Sequence, residues 1–237
     1  LNPFSKKYKK VLAFDGGGVR AIMGIYFLRK LEEESSKSIF ESFDLFIGTS
    51  AGATNALMLG MNGCKIKDLE KFWTKDNLKK IMNQSFIDKT SIFQTRPKYS
   101  NEGKKEILHN FFANKKIGQS LKPVVVTAYD LEARKPILLS SYGDPEVTAV
   151  QAANASSAAP IYFPTASMED GRWLIDGGIA TNNPSLLGYI EAKKIFSTNN
   201  IKVLGIGAGL NKRKISGKNS RNWGALGWLR HDILGIM

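Results

Sequence analysis

The chain has 237 residues, of which 43% are hydrophobic and 23% charged, so it can form one substantial domain with a large core. This composition excludes intrinsic disorder, collagen-like repeats and disulfide-rich scaffolds, and the single cysteine, Cys64, excludes an internal disulfide and a multi-cysteine metal site. The net charge is +13, with +4 in residues 1–40 and +6 in residues 201–237. Such a charge favours an anionic partner, either nucleic acid or an acidic lipid surface, and fits a solvated basic face equally well.

Short apolar runs alternate with amphipathic stretches along the chain. In chain order the predicted elements are a strand at 11–14, a helix at 19–34, a strand at 43–47, helices at 51–61 and 102–112, strands at 123–129 and 136–142, a helix at 147–158, a strand ending at Asp176, a helix at 184–196 and a strand at 201–206. This alternation predicts a single-domain α/β fold whose mainly parallel sheet is covered by helices on both faces.

Two segments stand apart from this pattern. Residues 62–100 are polar and lack periodicity, so we expect an irregular insertion over one edge of the sheet, serving as a lid. Residues 211–237 end in an apolar, aromatic stretch, and we expect this segment to continue beyond Met237. No run approaches 18 apolar residues, so no transmembrane helix is predicted. The first residue is Leu1 rather than Met, so we expect that the chain has been processed or trimmed, and an earlier signal or transit segment is compatible with the sequence.

A nucleophilic serine is predicted at Ser50, within Gly48-Thr49-Ser50-Ala51-Gly52. This G-x-S-x-G pattern lies between a predicted strand and a predicted helix, where a tight turn presents the serine hydroxyl. The N–H groups at the start of the following helix favour negative charge beside it. The alternative interpretation of the pattern alone is a packing turn rich in small residues.

A serine nucleophile needs a base, and the chain has two histidines. His109 lies in the middle of a predicted helix and His231 in the basic tail, so neither occupies the strand-end loop that is typical of a catalytic histidine. A carboxylate is the alternative base. Asp176 ends an apolar strand before two glycines, and we expect it at the same carboxyl edge of the sheet as Ser50. A raised pKa, caused by burial, would make it an adequate base; on its own, Asp176-Gly177 also fits a simple turn.

The segment Asp15-Gly16-Gly17-Gly18-Val19-Arg20 joins a strand to a helix and exposes several backbone N–H groups to an anion. One interpretation is an oxyanion hole at Gly16, Gly17 and Gly18, with Arg20 adding positive charge. The other is the dinucleotide fingerprint G-x-G-x-x-G/A, which here lacks the acidic residue at the end of a second strand.

Together these motifs resemble the patatin-like phospholipase family, in the family's order, across residues 11–209. The resemblance rests on residues 15–20, 48–52 and 176–178, and extends to the segments 155–160 and 182–184. It implies a patatin-type three-layer α/β fold and a Ser50–Asp176 dyad with an oxyanion hole at Gly16–Gly18. It also implies lipid acyl hydrolysis without a metal or another cofactor. Ala21 departs from the pattern, because many relatives have a glycine there, and we expect its methyl group to be tolerated.

The resemblance implies a phospholipase A-type hydrolase with a role in lipid degradation. The expected partner is an anionic phospholipid membrane surface, supported by the basic ends and by Trp223 and Trp228 beside Arg221 and Arg230. These tryptophans fit core or subunit packing equally well, and the basic run at 211–214 fits a solvated loop or a lipid-phosphate contact. A regulatory partner or ligand is expected, but the sequence identifies none.

Three other functions remain open from the sequence. An acyltransferase or an esterase acting on other lipids would use the same dyad, whereas a nucleotide-binding module would use the loop at Gly16–Gly18. A nucleic-acid-binding protein is not expected, because no helix-turn-helix, zinc or RNA-binding signature is visible. The expected location is the cytoplasm or the periphery of a membrane, and secretion or translocation as an effector is also compatible with the sequence.

Overall fold

The computed structural model describes residues 8–83, 96–209, 216–224 and 227. Within these ranges one sheet contains seven strands, in the order β5-β6-β3-β2-β1-β7, with β4 beside β3. The strands are β1 (Lys9–Phe14), β2 (Leu45–Gly48), β3 (Val124–Asp130), β4 (Lys135–Ser140), β5 (Ala166–Ser167), β6 (Trp173–Asp176) and β7 (Ile201–Ile206).

The helices of the described residues follow the predicted alternation with the strands. They are α1 (Ile22–Ser35), α2 (Ile39–Ser42), α3 (Ala51–Asn62), α4 (Ile66–Phe72), α5 (Lys75–Ile81), α6 (Glu102–Phe112), α7 (Ala149–Ser156), α8 (Ser185–Phe196) and α9 (Gly217–Ser220). A short 3-10 helix, Gly18–Ala21, leads into α1. Within the described ranges, none of the helices combines the length and the apolar character that a membrane span requires.

Both faces of the sheet are buried, because successive residues of a strand point to opposite sides. Leu12 of β1 and Phe46 of β2 pack into the larger core cluster, together with residues of α1, α3, α6 and α7. Their neighbours Val11 and Ile47 pack into a smaller cluster under α8. The prediction of an α/β fold with helices on both faces of the sheet is therefore confirmed.

The sheet has a parallel part and an antiparallel part. Strands β3, β2, β1 and β7 run parallel to one another, whereas β4 and β6 run antiparallel to β3, and β5 runs antiparallel to β6. The prediction of a mainly parallel sheet therefore holds for four consecutive strands, β3-β2-β1-β7, which extend to the β7 edge.

Strand β3 brings the ends of β2 and β6 together. Strand β4 pairs with residues 125–130 of β3 along one edge, so β2 and β6 share the other edge. There β2 ends with Gly48 opposite Val126, and the antiparallel β6 ends with Asp176 opposite Ala128. The two strands thus run toward each other, and their carboxyl ends meet two residues apart along β3.

The expectation that residues 62–100 are irregular is wrong for residues 66–81, which form α4 and α5. Ile66, Leu69 and Phe72, spaced three apart along α4, are buried in the core. Helices of seven residues are too short to produce a periodic pattern in a window of about 11 to 18 residues. Residues 84–95 of this segment lie outside the described ranges, and its role as a lid stays a prediction.

Candidate active site

Ser50 occupies the sharp turn between β2 and α3. Its backbone has φ 56° and ψ −125°, a conformation that is strained for a residue with a side chain. The flanking glycines allow this turn: a Cβ on Gly48 would lie 2.3 Å from the carbonyl oxygen of Gly52, and a Cβ on Gly52 would lie 2.6 Å from that of Phe14. The G-x-S-x-G spacing is therefore required by backbone packing, and the turn raises the Ser50 side chain above the carboxyl end of β2.

The hydroxyl of Ser50 donates a hydrogen bond of 2.6 Å to Oδ2 of Asp176. The other carboxylate oxygen, Oδ1, accepts the N–H of Gly178 at 2.7 Å. Only 6% of the Asp176 surface is exposed. Burial raises the pKa of Asp176 to about 6, and the hydrogen bonds from Ser50 and Gly178 oppose this rise without cancelling it. The structure thus joins the two residues that the motifs identified.

The direction of β6 differs from the one expected for Asp176. We expected Asp176 at the common carboxyl edge of parallel strands, but β6 runs antiparallel to β3. Asp176 reaches Ser50 because β6 and β2 meet head-on along β3, an arrangement that depends on the pairing of β3 with β2, 78 residues earlier in the sequence, and with β6, 44 to 48 residues later. No local sequence pattern carries this information.

Residues at the C-terminal end of α7 form hydrogen bonds with the backbone of both Ser50 and Asp176. The backbone N–H of Ser50 donates to the hydroxyl of Ser156 at 2.9 Å, and the backbone N–H of Asp176 donates to the carbonyl of Ala158 at 3.1 Å. These contacts give residues 155–158, which the sequence analysis noted without assigning a role, a structural part in the site.

The glycine loop after β1 lies beside Ser50. The N–H of Gly16 donates to the carbonyl of Asn182 at 3.0 Å, so it is already occupied. Among the described residues, the N–H groups of Gly17 and Gly18 find no acceptor, which leaves them available to an anion. Gly17 packs closely against the segment that follows β7, since a Cβ added there would lie 2.3 Å from Cβ of Ala208.

Arg20 folds back over the glycine loop. Its Nε lies 3.4 Å from the carbonyl oxygen of Gly17, and its Nη1 lies 3.5 Å from that of Gly209. The side chain is exposed and lines the cavity next to the loop. Its contribution of positive charge to an oxyanion hole stays a prediction.

Comparison with known proteins places this geometry in a family. A sequence model described as Patatin-like phospholipase matches residues 12–187, which is well over half of the chain. The chain belongs to the patatin-like phospholipase family. The prediction made from its motifs is therefore confirmed.

The relatives of this patatin-like chain include plant and bacterial proteins. Patatin-like protein 1 of Arabidopsis thaliana is 29% identical over 94% of the chain, and the cGAMP-activated phospholipase of Pseudomonas aeruginosa is 31% identical over 83%. The chain spans 64% and 61% of the lengths of these two proteins. The solved structure of VipD from Legionella pneumophila covers 91% of the chain, and the chain covers 52% of VipD, with a TM-score of 0.57 and 16% identity; this likeness concerns the fold alone.

A cavity of about 570 Å³ opens onto the patatin-like dyad. Its volume lies within the range of about 300–1,000 Å³ that is common for ligand sites. Ser50, Asp176 and the glycine loop form its polar end. Its apolar wall comes from α4, α5, α6 and adjacent turns, and contains Phe72, Trp73, Leu78, Ile81, Met82 and Leu108. The segment expected to be an irregular lid therefore supplies much of this wall.

Lys104 lines the same cavity, and the sequence analysis missed it. Its side chain is 4% exposed, and its Nζ lies 3.2 Å from the carbonyl oxygen of Ser157 and 4.0 Å from the centre of the Phe163 ring. A signal was present: on helix α6, Lys104 precedes the buried Ile107 and Leu108 by three and four residues, which places it on the apolar face.

Two opposing effects act on the pKa of the buried Lys104 ammonium group. Burial lowers its pKa to about 7, whereas attraction to the carboxylate of Asp176 opposes this change. The two groups lie close enough for each to affect the ionisation of the other.

The remaining predicted residues lie away from the dyad or outside the described ranges. His109 is exposed on α6 and does not line the cavity, and none of the described lining residues is a histidine. His231, Trp228 and Arg230 fall outside the described residues, as does the basic run at 211–214. Of the tail residues, Trp223 is half-buried and Arg221 is exposed.

Two further observations concern other chemistry. Burial raises the pKa of the Cys64 thiol to about 12, which suits a packing residue and not a nucleophile. In the part of the chain that the structure describes, no cluster of three or more His, Cys, Asp or Glu side chains could hold a metal ion.

Proposed function

We propose that the chain is a lipid acyl hydrolase of the phospholipase A type, which cleaves fatty-acyl esters of glycerophospholipids through Ser50 and Asp176. The 2.6 Å hydrogen bond between Ser50 Oγ and Asp176 Oδ2 is the observation that carries the proposal, because it aligns a nucleophile with a base. Membership of the patatin-like phospholipase family, together with a relative named as a phospholipase, supports a lipid ester as the substrate.

The first half of the reaction forms an acyl-enzyme. Ser50 Oγ attacks the carbonyl carbon of the ester, and its proton passes to Asp176 Oδ2. The carbonyl π electrons move onto oxygen, and the N–H groups of Gly17 and Gly18 hold the resulting oxyanion. The oxyanion then collapses, the bond to the glycerol oxygen breaks, and that oxygen takes the proton from Asp176.

The second half releases the fatty acid. Asp176 takes a proton from water as the water oxygen attacks the acyl carbon, and the same N–H groups hold the second oxyanion. Collapse breaks the bond to Ser50 Oγ, which regains its proton from Asp176. A pKa of about 6 suits this role, because a carboxylate that is ionised near neutral pH yet less acidic than usual is a better proton acceptor.

The shape of the cavity supports an acyl chain as the group next to the reacting carbon. The dyad lies at one end of a space whose other walls are aromatic and aliphatic side chains of α4, α5 and α6. Burial of an apolar chain there contributes roughly 0.8 kcal/mol for each methylene group removed from water. Apolar burial of this kind favours esters of long fatty acids over short ones.

An exposed apolar strip supports docking on an anionic phospholipid membrane. Val19, Met23, Tyr26 and Phe27 are each between 44% and 55% exposed, and their spacing places them on one face of the segment leading from the glycine loop into α1. Val19 also lines the cavity, so the strip reaches its mouth. With the net charge of +13, this surface suits an acidic lipid interface.

Nucleotide binding by the glycine loop is the alternative from another class. A Cβ on Gly16 would lie 3.4 Å from Cβ of Ser50, so the loop faces the serine at close range. That proximity suits an oxyanion formed at Ser50, whereas nucleotide binding by the loop would leave Ser50 without a role. Control by a small ligand or partner belongs to the proposal, since one relative is named for activation by cGAMP.

Intact-mass spectrometry after treatment with a lipid-like fluorophosphonate tests the dyad. We expect one adduct on the wild type, none on Ser50→Ala, and much slower labelling of Asp176→Asn. The measurement is repeated with vesicles of anionic phospholipid, because access to the cavity can depend on a lipid surface. A folded wild type that stays unlabelled in both conditions would contradict the proposal. Analysis of products with an added alcohol then separates hydrolysis from acyl transfer.

A further inference from the structure

Lys104 is a buried ammonium group that the proposed reaction leaves without a role. It lies in the wall of the cavity, is 4% exposed, and contacts the carbonyl and hydroxyl oxygens of Ser157 at 3.2 and 3.3 Å. The ring of Phe163 covers it at 4.0 Å. Neutral oxygens and a ring face compensate a buried charge only in part, so an anion is expected nearby.

The position of Ser157 connects Lys104 to the dyad. Ser156, which precedes it, accepts the N–H of Ser50, and Ala158, which follows it, accepts the N–H of Asp176. Three consecutive residues at the end of α7 thus hold the nucleophile, the lysine and the carboxylate. This arrangement binds the lysine side chain and the backbone of the aspartate to adjacent residues of one turn.

The other charged groups around Lys104 and Asp176 are few. Helices α3 and α7, which pack against the site, contain no charged residue. On α6, Lys105 is exposed and acts weakly on Lys104, and Glu106 pairs with Lys80 of α5. From the 3-10 helix, Arg20 lines the cavity but lies over the glycine loop.

Asp176 is the carboxylate that acts on Lys104, and within the described ranges Lys104 forms no salt bridge. We propose that Lys104 is the counter-ion of Asp176, a positioning residue that keeps the carboxylate of the dyad in its ionised, proton-accepting form. This inference rests on the proposed function. It concerns the pH above which Asp176 can accept the proton of Ser50, and not the identity of the substrate.

The sign of the effect follows from the charges. A cation favours the ionised form of a neighbouring carboxylate, so removal of the Lys104 charge raises the pKa of Asp176 above its value of about 6. The dyad then needs a higher pH to lose its proton. By reciprocity, neutralising Asp176 removes the attraction that opposes the fall of the Lys104 pKa, and this pKa decreases further below about 7.

The first test measures the rate constant of fluorophosphonate labelling of Ser50 as a function of pH. In Lys104→Met and Lys104→Gln we expect the half-maximal point to move upward by about one pH unit. Lys104→Arg keeps the charge and should keep the wild-type point. Lys105→Met, which removes a charge from the exposed neighbour, is the matched control and should leave it unchanged. A folded Lys104→Met with the wild-type half-maximal point would overturn the proposal.

The second test leaves the lysine in place and needs no catalysis. The titration of Lys104 is followed by NMR of its Cε carbon in the wild type and in Asp176→Asn, whose side chain has almost the same shape. We expect the midpoint to fall in the variant, and an unchanged midpoint would overturn the proposal. Labelling of Ser50 in the wild type tests the proposed function separately. Failure of the proposed function and failure of the counter-ion role of Lys104 can therefore be distinguished.

Discussion

Ser50 and Asp176 are 126 residues apart, yet they share a hydrogen bond because two strands of opposite direction end against each other along β3. In an ordinary parallel sheet, catalytic groups meet because all strands end at one edge. Here the proposed nucleophile comes from the end of a parallel strand, and the proposed base comes from the end of an antiparallel one. The pairing of β3 with β4 along its other edge enforces this arrangement.

The strained turn at Ser50 predicts that a glycine there abolishes activity but relieves backbone strain and so stabilises the fold. Ser50→Gly should abolish labelling and raise the free energy of unfolding by about 1 kcal/mol relative to Ser50→Ala, because glycine adopts a positive φ without strain. Both variants lose the same hydrogen bond to Asp176, so their comparison isolates the backbone. Urea denaturation measures the difference. Equal stability of the two variants would show that the turn holds no strain.

The glycine loop predicts a selective loss of rate. Gly17→Ala places a methyl group against Ala208 and displaces the N–H groups of the loop, so kcat should fall about 100-fold while KM changes little. Gly224→Ala is the control, since a Cβ there meets nothing within 4 Å. Steady-state hydrolysis of a soluble ester by both variants provides the measurement. Full activity of a folded Gly17→Ala would remove the loop from the mechanism.

The raised pKa of Asp176 predicts a dependence of stability on pH. The folded state holds the Asp176 proton more tightly than the unfolded state does, so this group stabilises the fold below about pH 4 and loses that contribution as pH rises through about 6. Asp176→Asn removes the ionisation and should therefore be more stable than the wild type above pH 6, by at most about 3 kcal/mol.

Thermal unfolding of both proteins across this pH range measures the effect. The difference in Tm between Asp176→Asn and the wild type should shrink as the pH falls from about 6 to about 4 and stay constant below that, because the wild-type carboxyl is then protonated in both states. A difference that does not vary with pH would mean that the carboxyl titrates normally in the folded protein.

The apolar wall predicts control of chain length. Leu78→Trp fills part of the cavity, so kcat/KM for a long-chain ester should fall about ten-fold or more, while a short-chain ester is cleaved as before. Leu186→Trp, at a position of α8 that is 70% exposed and does not line the cavity, is the control. Parallel loss on both esters would indicate damage to the dyad instead of a shortened pocket.

The apolar strip predicts where the protein meets a bilayer. Phe27→Asp should weaken co-sedimentation with anionic vesicles, because it places a negative charge on the proposed docking surface. Leu186→Asp makes the same change on α8 and should have little effect. If binding of the wild type to vesicles changes neither with salt nor with anionic lipid content, charge does not contribute to docking.

The sequence predicted those parts of the fold and site that depend on local patterns. The helix at 102–112 and the strand at 201–206 have the predicted bounds, since long periodic runs and buried β-branched runs carry clear signals. Ser50 and Asp176 were identified through the glycines around them, because a sharp turn restricts the residue types that fit.

The features of the fold and the site that the sequence did not predict depend on contacts between distant residues. The antiparallel direction of β6 follows from its pairing with β3, and a strand of four residues carries no mark of its direction. Lys104 was missed because a lysine on a predicted helix is normally assigned to the solvent. Its spacing to Ile107 and Leu108 indicated the apolar face of α6, but its hydrogen-bond partner Ser157 is brought to it only when α6 packs against the end of α7.

The close packing of Gly17 against Ala208 has a consequence for the order in which the molecule matures. The N–H of Asp15 also donates to the carbonyl of Ile206, so the glycine loop near the start of the chain rests on residues that are synthesised almost two hundred positions later. A growing chain that already contains Ser50 and Asp176 still lacks this support. We therefore expect the oxyanion hole proposed at Gly17 and Gly18 to form only after residues 206–208 have docked against the glycine loop.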